Sequence, residues 1–225
     1  MEIKTKPIYT SKVYESKIIS IEHLTPSAFL ITFEKPEFNF LPGQHIIVSL
    51  EGDIHDREYS ICSSENDSNM QIIVKEVEGG YFTPQLKILK KGDILKIRGP
   101  HGRFYLDYFN VENKDIILIA SGTGIAPFRS MILSYPELKF QLIHGIKTID
   151  ESYFKGDFKC PYITCTSKDS KGDYAGRVTQ YIEILNFNSN AIFYLCGNFN
   201  MIYDVQNLII SKGYSINSIF TEVYF

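Results

Sequence analysis

Ile116-Ile117-Leu118-Ile119-Ala120-Ser121-Gly122-Thr123-Gly124-Ile125-Ala126-Pro127-Phe128 is the stretch on which the fold of this chain turns. Its first five residues are continuously apolar, as expected of a strand buried on both faces of a parallel sheet. Glycines then break the strand, and Pro127 opens a helical stretch that runs to Ser134. The alternation continues downstream. Further strands are expected at residues 140–144, 162–166, 192–196 and 218–223, with helices at 178–185 and 200–212 and Gly213 as a helix stop. This pattern predicts a five-stranded parallel sheet with helical crossovers.

Upstream the rhythm differs. Short, β-branched segments at residues 17–21, 29–33, 45–50, 71–77 and 94–98 are separated by Pro36, Pro42-Gly43, Gly52-Asp53, Asn66-Asp67 and Lys91-Gly92-Asp93. Many short strands with turn signals indicate an all-β barrel or sandwich. Thr83-Pro84 offers an N-cap followed by a proline, so one short helix is expected over 85–89. The polar stretch at 107–114 separates the two rhythms and predicts domains at 1–108 and 109–225.

Composition narrows the function. A chain of 225 residues can bury a core without staples, and 44% hydrophobic with 22% charged residues is a globular balance. The formal charge is −3, and both parts are slightly acidic, which argues against a general nucleic-acid binder. The start carries no apolar signal core and no run approaches a membrane span, so the cytosol is the expected compartment. Cys62, Cys160, Cys165 and Cys196 are too few for a disulfide scaffold. Cys160 and Cys165 lack the further cysteine an iron–sulfur spacing needs. The histidines, His23, His45, His55, His101 and His144, show no metal spacing and read as structural.

Open parallel sheets bind ligands beyond the carboxyl ends of their strands. Ser121-Gly122-Thr123-Gly124, Gly145, Ser167-Lys168, Gly197-Asn198 and Glu222 each lie at the end of an expected strand. Gly122 and Gly124 would let a pyrophosphate approach backbone N–H groups at a helix start. Without a third glycine the same motif also reads as a tight strand-to-helix turn. Within Arg57-Glu58-Tyr59-Ser60-Ile61, alternation puts Arg57, Tyr59 and Ile61 on one face and Ser60 on the other. Arg57 suits a phosphate, Tyr59 an aromatic ring and Ser60 a hydrogen bond; a strand with one amphipathic face is the simpler reading. Gly79-Gly80-Tyr81-Phe82-Thr83 offers N–H groups at a second helix start, or a glycine-rich hairpin.

Taken in order, these segments, with Cys196-Gly197 and the ending Glu222-Val223-Tyr224-Phe225, resemble the ferredoxin–NADP(+) reductase family over about residues 11–225. The resemblance implies a six-stranded antiparallel flavin-binding barrel followed by a five-stranded parallel nucleotide-binding domain. It implies that Arg57 holds the flavin pyrophosphate, Tyr59 lies against the isoalloxazine and Ser60 hydrogen-bonds near N5. Gly80, Tyr81, Phe82 and Thr83 would bind the flavin pyrophosphate. Gly122, Thr123 and Gly124 would hold the nicotinamide nucleotide, with Cys196 and Gly197 beside the nicotinamide and Glu222 completing a polar site. Tyr224 is the expected flavin-stacking ring that gates access, with Phe225 the alternative or an adenine neighbour.

Ser167 and Lys168 stand where the family binds the adenosine 2′-phosphate, and Arg177 where it has another cation, so NADP(H) is favoured over NADH. FAD is favoured over FMN. Lys87, Lys90, Lys91, Lys96, Arg98 and Arg103 form a basic stretch that would dock an acidic ferredoxin or flavodoxin, or simply be solvated. The leading expectation is an FAD-dependent NADPH oxidoreductase exchanging single electrons with such a carrier. The alternatives are an NAD(P)H:flavin reductase, an NADH-dependent reductase component of an oxygenase or multi-subunit enzyme, and a degenerate flavoprotein.

Overall fold

The computed structural model describes residues 12–111 and 113–224. Two compact units divide between Tyr105 and Leu106. The first contains β1 (Val13–Thr25), β2 (Ala28–Glu34), β3 (His45–Leu50), β4 (Asp56–Ser60), β5 (Asn69–Lys75), α1 (Phe82–Ile88) and β6 (Ile94–His101). The strands pair antiparallel in the order β4-β3-β6-β1-β2-β5. The two ends of that order meet. Ile61, just past β4, bridges Ile72 of β5, and the Cys62 N–H donates to the Gln71 carbonyl at 2.9 Å. The expected six-stranded antiparallel barrel is therefore present.

β1 is far longer than the five residues its apolar content suggested. Val13 to Lys17 pair with β6, and Ile18 to Thr25 pair with β2, with irregular register between Ile18 and Ser20. Such an irregularity bends a strand, letting one segment serve two neighbours around a barrel corner. Phe29, Phe33, Ile46, Ile72 and Leu95 fill the interior, joined by Phe82 and Leu86 from α1. Helix α1 begins earlier than expected, with Tyr81 at its N-cap rather than Thr83. The Thr83 hydroxyl accepts instead from the Val77 N–H at 2.9 Å, tying the helix to the preceding glycine turn. Pro84 sits in the first turn, where its missing N–H has no intrahelical partner to lose.

The second unit contains α2 (Tyr108–Val111), β7 (Ile116–Ser121), α3 (Ala126–Ser134), β8 (Phe140–Ile146), β9 (Tyr162–Thr166), β10 (Tyr174–Ala175), α4 (Val178–Ile184), β11 (Ile192–Asn198), α5 (Phe199–Ser211) and β12 (Ile219–Tyr224). Its sheet is parallel, in the order β10-β9-β8-β7-β11-β12. The sheet has six strands rather than the expected five. β10 is the addition; two residues are too short to carry a periodic signal, and tertiary pairing with Cys165 and Thr166 makes it a strand.

The sheet is buried on both faces. Ile117, Ile119, Ile143, Phe193 and Leu195 pack with Val178 and Ile182 of α4 and with Ile202, Val205 and Ile209 of α5. The alternate residues Ile116, Leu118, Leu142 and His144 point the other way and are also buried. Asn198 caps α5 by accepting from the Asn200 N–H at 3.0 Å. Among the described residues, no helix is long and apolar enough to cross a membrane.

Candidate functional site

The order of the second sheet reverses between β7 and β11. The chain steps from β7 outward through β8 and β9, then returns to add β11 and β12 on the other side. The crevice at such a switch point is where open α/β sheets bind ligands. Ser121, the 3₁₀ turn Gly122–Ile125 and the start of α3 lie at the carboxyl end of β7, and Cys196 and Gly197 lie at that of β11.

These two strand ends are in unusually close contact. A Cβ on Gly124 would stand 2.3 Å from the Cys196 carbonyl oxygen, and one on Gly197 would stand 2.3 Å from Ser121 Oγ. Only glycine fits either position. Gly197 also has φ +130°, and the Asn198 N–H donates to Ser121 Oγ at 2.9 Å. Gly122 differs: it has φ +54°, and a Cβ there would meet nothing within 4 Å. The turn is thus pressed against β11 on one side and open on another. Open space over backbone N–H groups at a helix start fits a bound phosphate.

A residue read only as structural completes the turn. His144 of β8 is fully buried, and its Nε2 lies 2.7 Å from the Gly122 carbonyl oxygen. A carbonyl can only accept, so Nε2 carries the proton. Nδ1 then accepts from the Tyr162 hydroxyl at 2.7 Å. Burial pushes the His144 imidazole down to about 4, so it is neutral near pH 7; the Gly122 hydrogen bond and the charge of Glu151 act weakly the other way. The signal for this role was an ionisable side chain among the apolar Leu142, Ile143 and Ile146 of β8.

Cys196, Glu222 and Tyr224 are brought together by the pairing of β11 with β12. Cys196 lies opposite Glu222, and Asn198 opposite Tyr224. The thiol is fully buried and pushed well up by that burial; Glu222 adds to the shift and a Tyr224 hydrogen bond opposes it. Phe225 lies outside the described residues.

The missed strand β10 gathers the three phosphate-site candidates. Ala175 pairs with Thr166, and the Gly176 N–H donates to the Thr166 carbonyl at 2.8 Å. Arg177 is therefore carried to the strand end where Ser167 and Lys168 emerge, and all three are exposed. The nearby acids are engaged with the fold. Asp169 accepts from the Ile149 and Lys171 N–H groups, and Asp173 accepts from the Thr164 N–H and hydroxyl. Those hydrogen bonds hold both carboxyls below the usual range.

In the first unit, β4 and the start of α1 converge. The Arg57 guanidinium donates to the Asp56 carbonyl at 2.6 Å and lies 6.0 Å from the centre of the Phe82 ring. His55 and Tyr81 rings are 4.5 Å apart. Tyr59 leans on the barrel core, and burial pushes its phenol up. Ser60 is buried on the opposite face, in register with His45. Gly79 has φ +70°, and the Gly80 N–H closes a turn on the Val77 carbonyl at 2.9 Å. The Phe82 side chain belongs to the core, so only its backbone is available to a ligand. Thr83, although it accepts from Val77, keeps a hydroxyl proton to donate.

Among the described residues, no group of three or more His, Cys, Asp or Glu is placed to hold a metal ion. A cleft of about 420 Å³ bordered by Phe187, Asn190, Lys212 and Tyr214 lies at the amino ends of β7 and β11; none of the expected site residues line it.

Two predictions follow from the turn. Gly124→Ala must separate the turn from β11 and should cost about 1–3 kcal/mol, read as a lower urea midpoint. An unchanged midpoint would show that the close approach is not maintained in solution. The depressed imidazole makes a second one. Unfolded, His144 binds a proton below about pH 6.5; folded, it does so only below about 4. Its contribution is complete above pH 6.5 and is lost as pH falls toward 4, by roughly 3 kcal/mol. Comparing urea stability of wild type and His144→Gln at pH 7 and 4.5 isolates it: wild type should lose more.

Comparison with known proteins agrees with this geometry. Residues 12–105 match the oxidoreductase FAD-binding domain and residues 118–207 the oxidoreductase NAD-binding domain. The toluate 1,2-dioxygenase electron transfer component of Pseudomonas putida is 31% identical over 89% of this chain and 64% of its own length. The ferredoxin–NADP reductase of Pseudomonas aeruginosa is 32% identical over 63% of this chain and 57% of its own. The sulfhydrogenase 2 subunit gamma of Pyrococcus furiosus is 32% identical over 64% of this chain and 52% of its own. The chain thus spans between half and two-thirds of the length of these relatives. A ferredoxin NADP+ reductase from Neisseria gonorrhoeae, solved with bound FAD and NADP, shares the fold at a TM-score of 0.85 and 19% identity, covering 96% of this chain and all of that one. With its FAD-binding barrel, its NAD-binding sheet and this set of relatives, the chain belongs to the ferredoxin–NADP(+) reductase family of flavin- and nicotinamide-dependent oxidoreductases.

Proposed function

We propose that this chain is an FAD-dependent NADPH oxidoreductase that exchanges electrons with a small acidic carrier protein such as a ferredoxin or flavodoxin. The observation that carries the reading is the Gly122–Gly124 turn at the sheet's switch point, pressed on β11 and open where a phosphate would sit. When bound, the nicotinamide supplies a hydride at C4, and the flavin accepts it at N5 and releases electrons singly. The chain's own residues orient and shield. Arg57 would neutralise the flavin pyrophosphate, with Gly80, Tyr81, Phe82 and Thr83 offering backbone N–H groups and a hydroxyl. Tyr59 would flank the isoalloxazine, and Ser60 would hold a hydrogen bond near N5.

In the second unit, Gly122, Thr123 and Gly124 would present N–H groups to the nucleotide pyrophosphate. Ser167, Lys168 and Arg177 would receive a 2′-phosphate, and their convergence through β10 supports NADP(H). The buried thiol of Cys196 stays protonated, so it serves as a small neutral contact for the nicotinamide rather than a nucleophile. Cys196, Gly197 and Glu222 would frame that ring. Tyr224 would cover the flavin and, through its hydrogen bond to Cys196, would have to move before nicotinamide enters.

The basic stretch supports steering only in part. Lys87 pairs with Glu76 at 2.6 Å, Lys96 with Glu51 at 3.9 Å, and Arg98 with Asp56. Lys90, Lys91 and Arg103 are exposed and would meet an acidic carrier. The cysteines are free thiols, which suits the cytosol as the working compartment. Similarity to a dioxygenase electron transfer component over 89% of the chain favours one second reading, an NADH-dependent reductase partner of an oxygenase.

Two substitutions test these assignments. Ser60→Ala should slow flavin reduction at least about tenfold while flavin stays bound, the value of one hydrogen bond at the reacting atom. An unchanged stopped-flow rate would remove Ser60 from the site. Lys168→Ala with Arg177→Ala should weaken NADPH about a hundredfold, two charge-assisted contacts of about 1.5 kcal/mol each, and barely affect NADH. Equal losses for both nucleotides would refute the phosphate site and favour the second reading.

A further inference from the structure

The Gly122 peptide needs an external hold. Its φ of +54° turns the chain out of the line of β7, whose ladder with β8 ends at Ser121, the last residue of the strand. The orientation of this carbonyl matters because it belongs to the same peptide plane as the Thr123 N–H. Carbonyl and N–H point in opposite directions across one planar unit. A group that holds the carbonyl inward therefore aims the Thr123 N–H outward.

His144 is that group. Its in-register neighbour on β7 is Ala120, whose side chain leaves room for the imidazole to reach past the strand end to Gly122. Nε2 meets the Gly122 oxygen at 2.7 Å, and Nδ1 meets the Tyr162 hydroxyl at 2.7 Å. Tyr162 lies opposite Leu142, two residues before His144 on β8, so both side chains project from one face of the sheet. The Tyr153 ring, from the loop after β8, packs 6.3 Å from the imidazole. Three successive strands are thus linked in one line: β9 through Tyr162, β8 through His144, and the turn that ends β7.

We infer that His144, steadied at Nδ1 by the Tyr162 hydroxyl, is a positioning device for the nicotinamide nucleotide: its Nε2–H clamps the Gly122 carbonyl and aims the Thr123 N–H at the nucleotide pyrophosphate. His144 touches no substrate; it acts through the turn. The inference rests on the proposed reading of this turn as the nucleotide site. Preorganising an N–H that a ligand would otherwise have to turn into place raises affinity without any contact of its own.

The test separates the device from the site it serves. Ring 15N NMR on the flavin-loaded protein should show His144 neutral with the proton on Nε2, and Tyr162→Phe should shift the Nδ1 signal while Nε2 stays protonated. Calorimetric binding of NADP+ and NAD+ to two matched variants then reads the coupling. The His144→Gln amide can still reach Gly122, and affinity should stay within about twofold of wild type. The His144→Asn amide is too short, and affinity for both nucleotides should fall about tenfold, one hydrogen bond's worth, with flavin content retained. In turnover the loss should appear in KM rather than kcat. A proton on Nδ1, or equal binding by the Asn and Gln variants, would overturn the inference and leave the nucleotide site standing. Wild-type protein that binds neither nucleotide would overturn the site and the inference together.

Discussion

A single close approach governs the second unit. The peptide at the end of β11 lies so near the turn after β7 that no side chain fits at Gly124 or Gly197. Parallel pairing of β7 with β11 brings the two strand ends together, and the glycines let them close. The start of α3 follows directly from that contact, so the N–H groups at the head of the helix are set by backbone geometry rather than by flexible side chains. Rigid placement of this kind suits a site whose work is orientation. His144 and Tyr162 extend the same logic through β8 and β9, and Cys196, Glu222 and Tyr224 extend it to β12. A ligand at the switch point would therefore meet a frame assembled from five strands.

The first unit reaches a comparable end by other means. Here the barrel closes through Ile61 and Ile72, and the segment just before that closure carries Arg57, Tyr59 and Ser60. Alternation along β4 divides their duties. Arg57 and Tyr59 share the face of Val48 and Ile46, toward the core and α1, while Ser60 shares the face of His45. The glycine turn before α1 is fastened by Thr83 to Val77, and Phe82 anchors the helix start in the barrel core. Charge and aromatic surface are thus held on a hydrophobic base.

Much of this was legible in the sequence because two signals agreed. Runs such as Ile116 to Ala120 announce a doubly buried strand, and the glycines and polar residues that follow the strands mark one end of the sheet. What was hidden depended on tertiary register. β10 is a strand only because Tyr174 and Ala175 lie beside β9, yet it decides where Arg177 sits. His144 showed no motif, since its partners Gly122 and Tyr162 are 22 and 18 residues away. The basic stretch looked unpaired because Glu76, Glu51 and Asp56, which neutralise half of it, come from other strands and loops. Thr83 looked like an N-cap because its chemistry suits one; the glycine turn claimed its hydroxyl instead.

On the proposed reading, one chain holds a flavin on its barrel and draws reducing equivalents from a nicotinamide nucleotide held by its sheet. The most direct measurement is anaerobic stopped-flow reduction of the purified, flavin-loaded protein by NADPH and by NADH, with the flavin identified after release. Rapid bleaching of tightly bound FAD, with clear preference for NADPH, is the expected result. Bound flavin that neither nucleotide reduces would contradict the proposed reading.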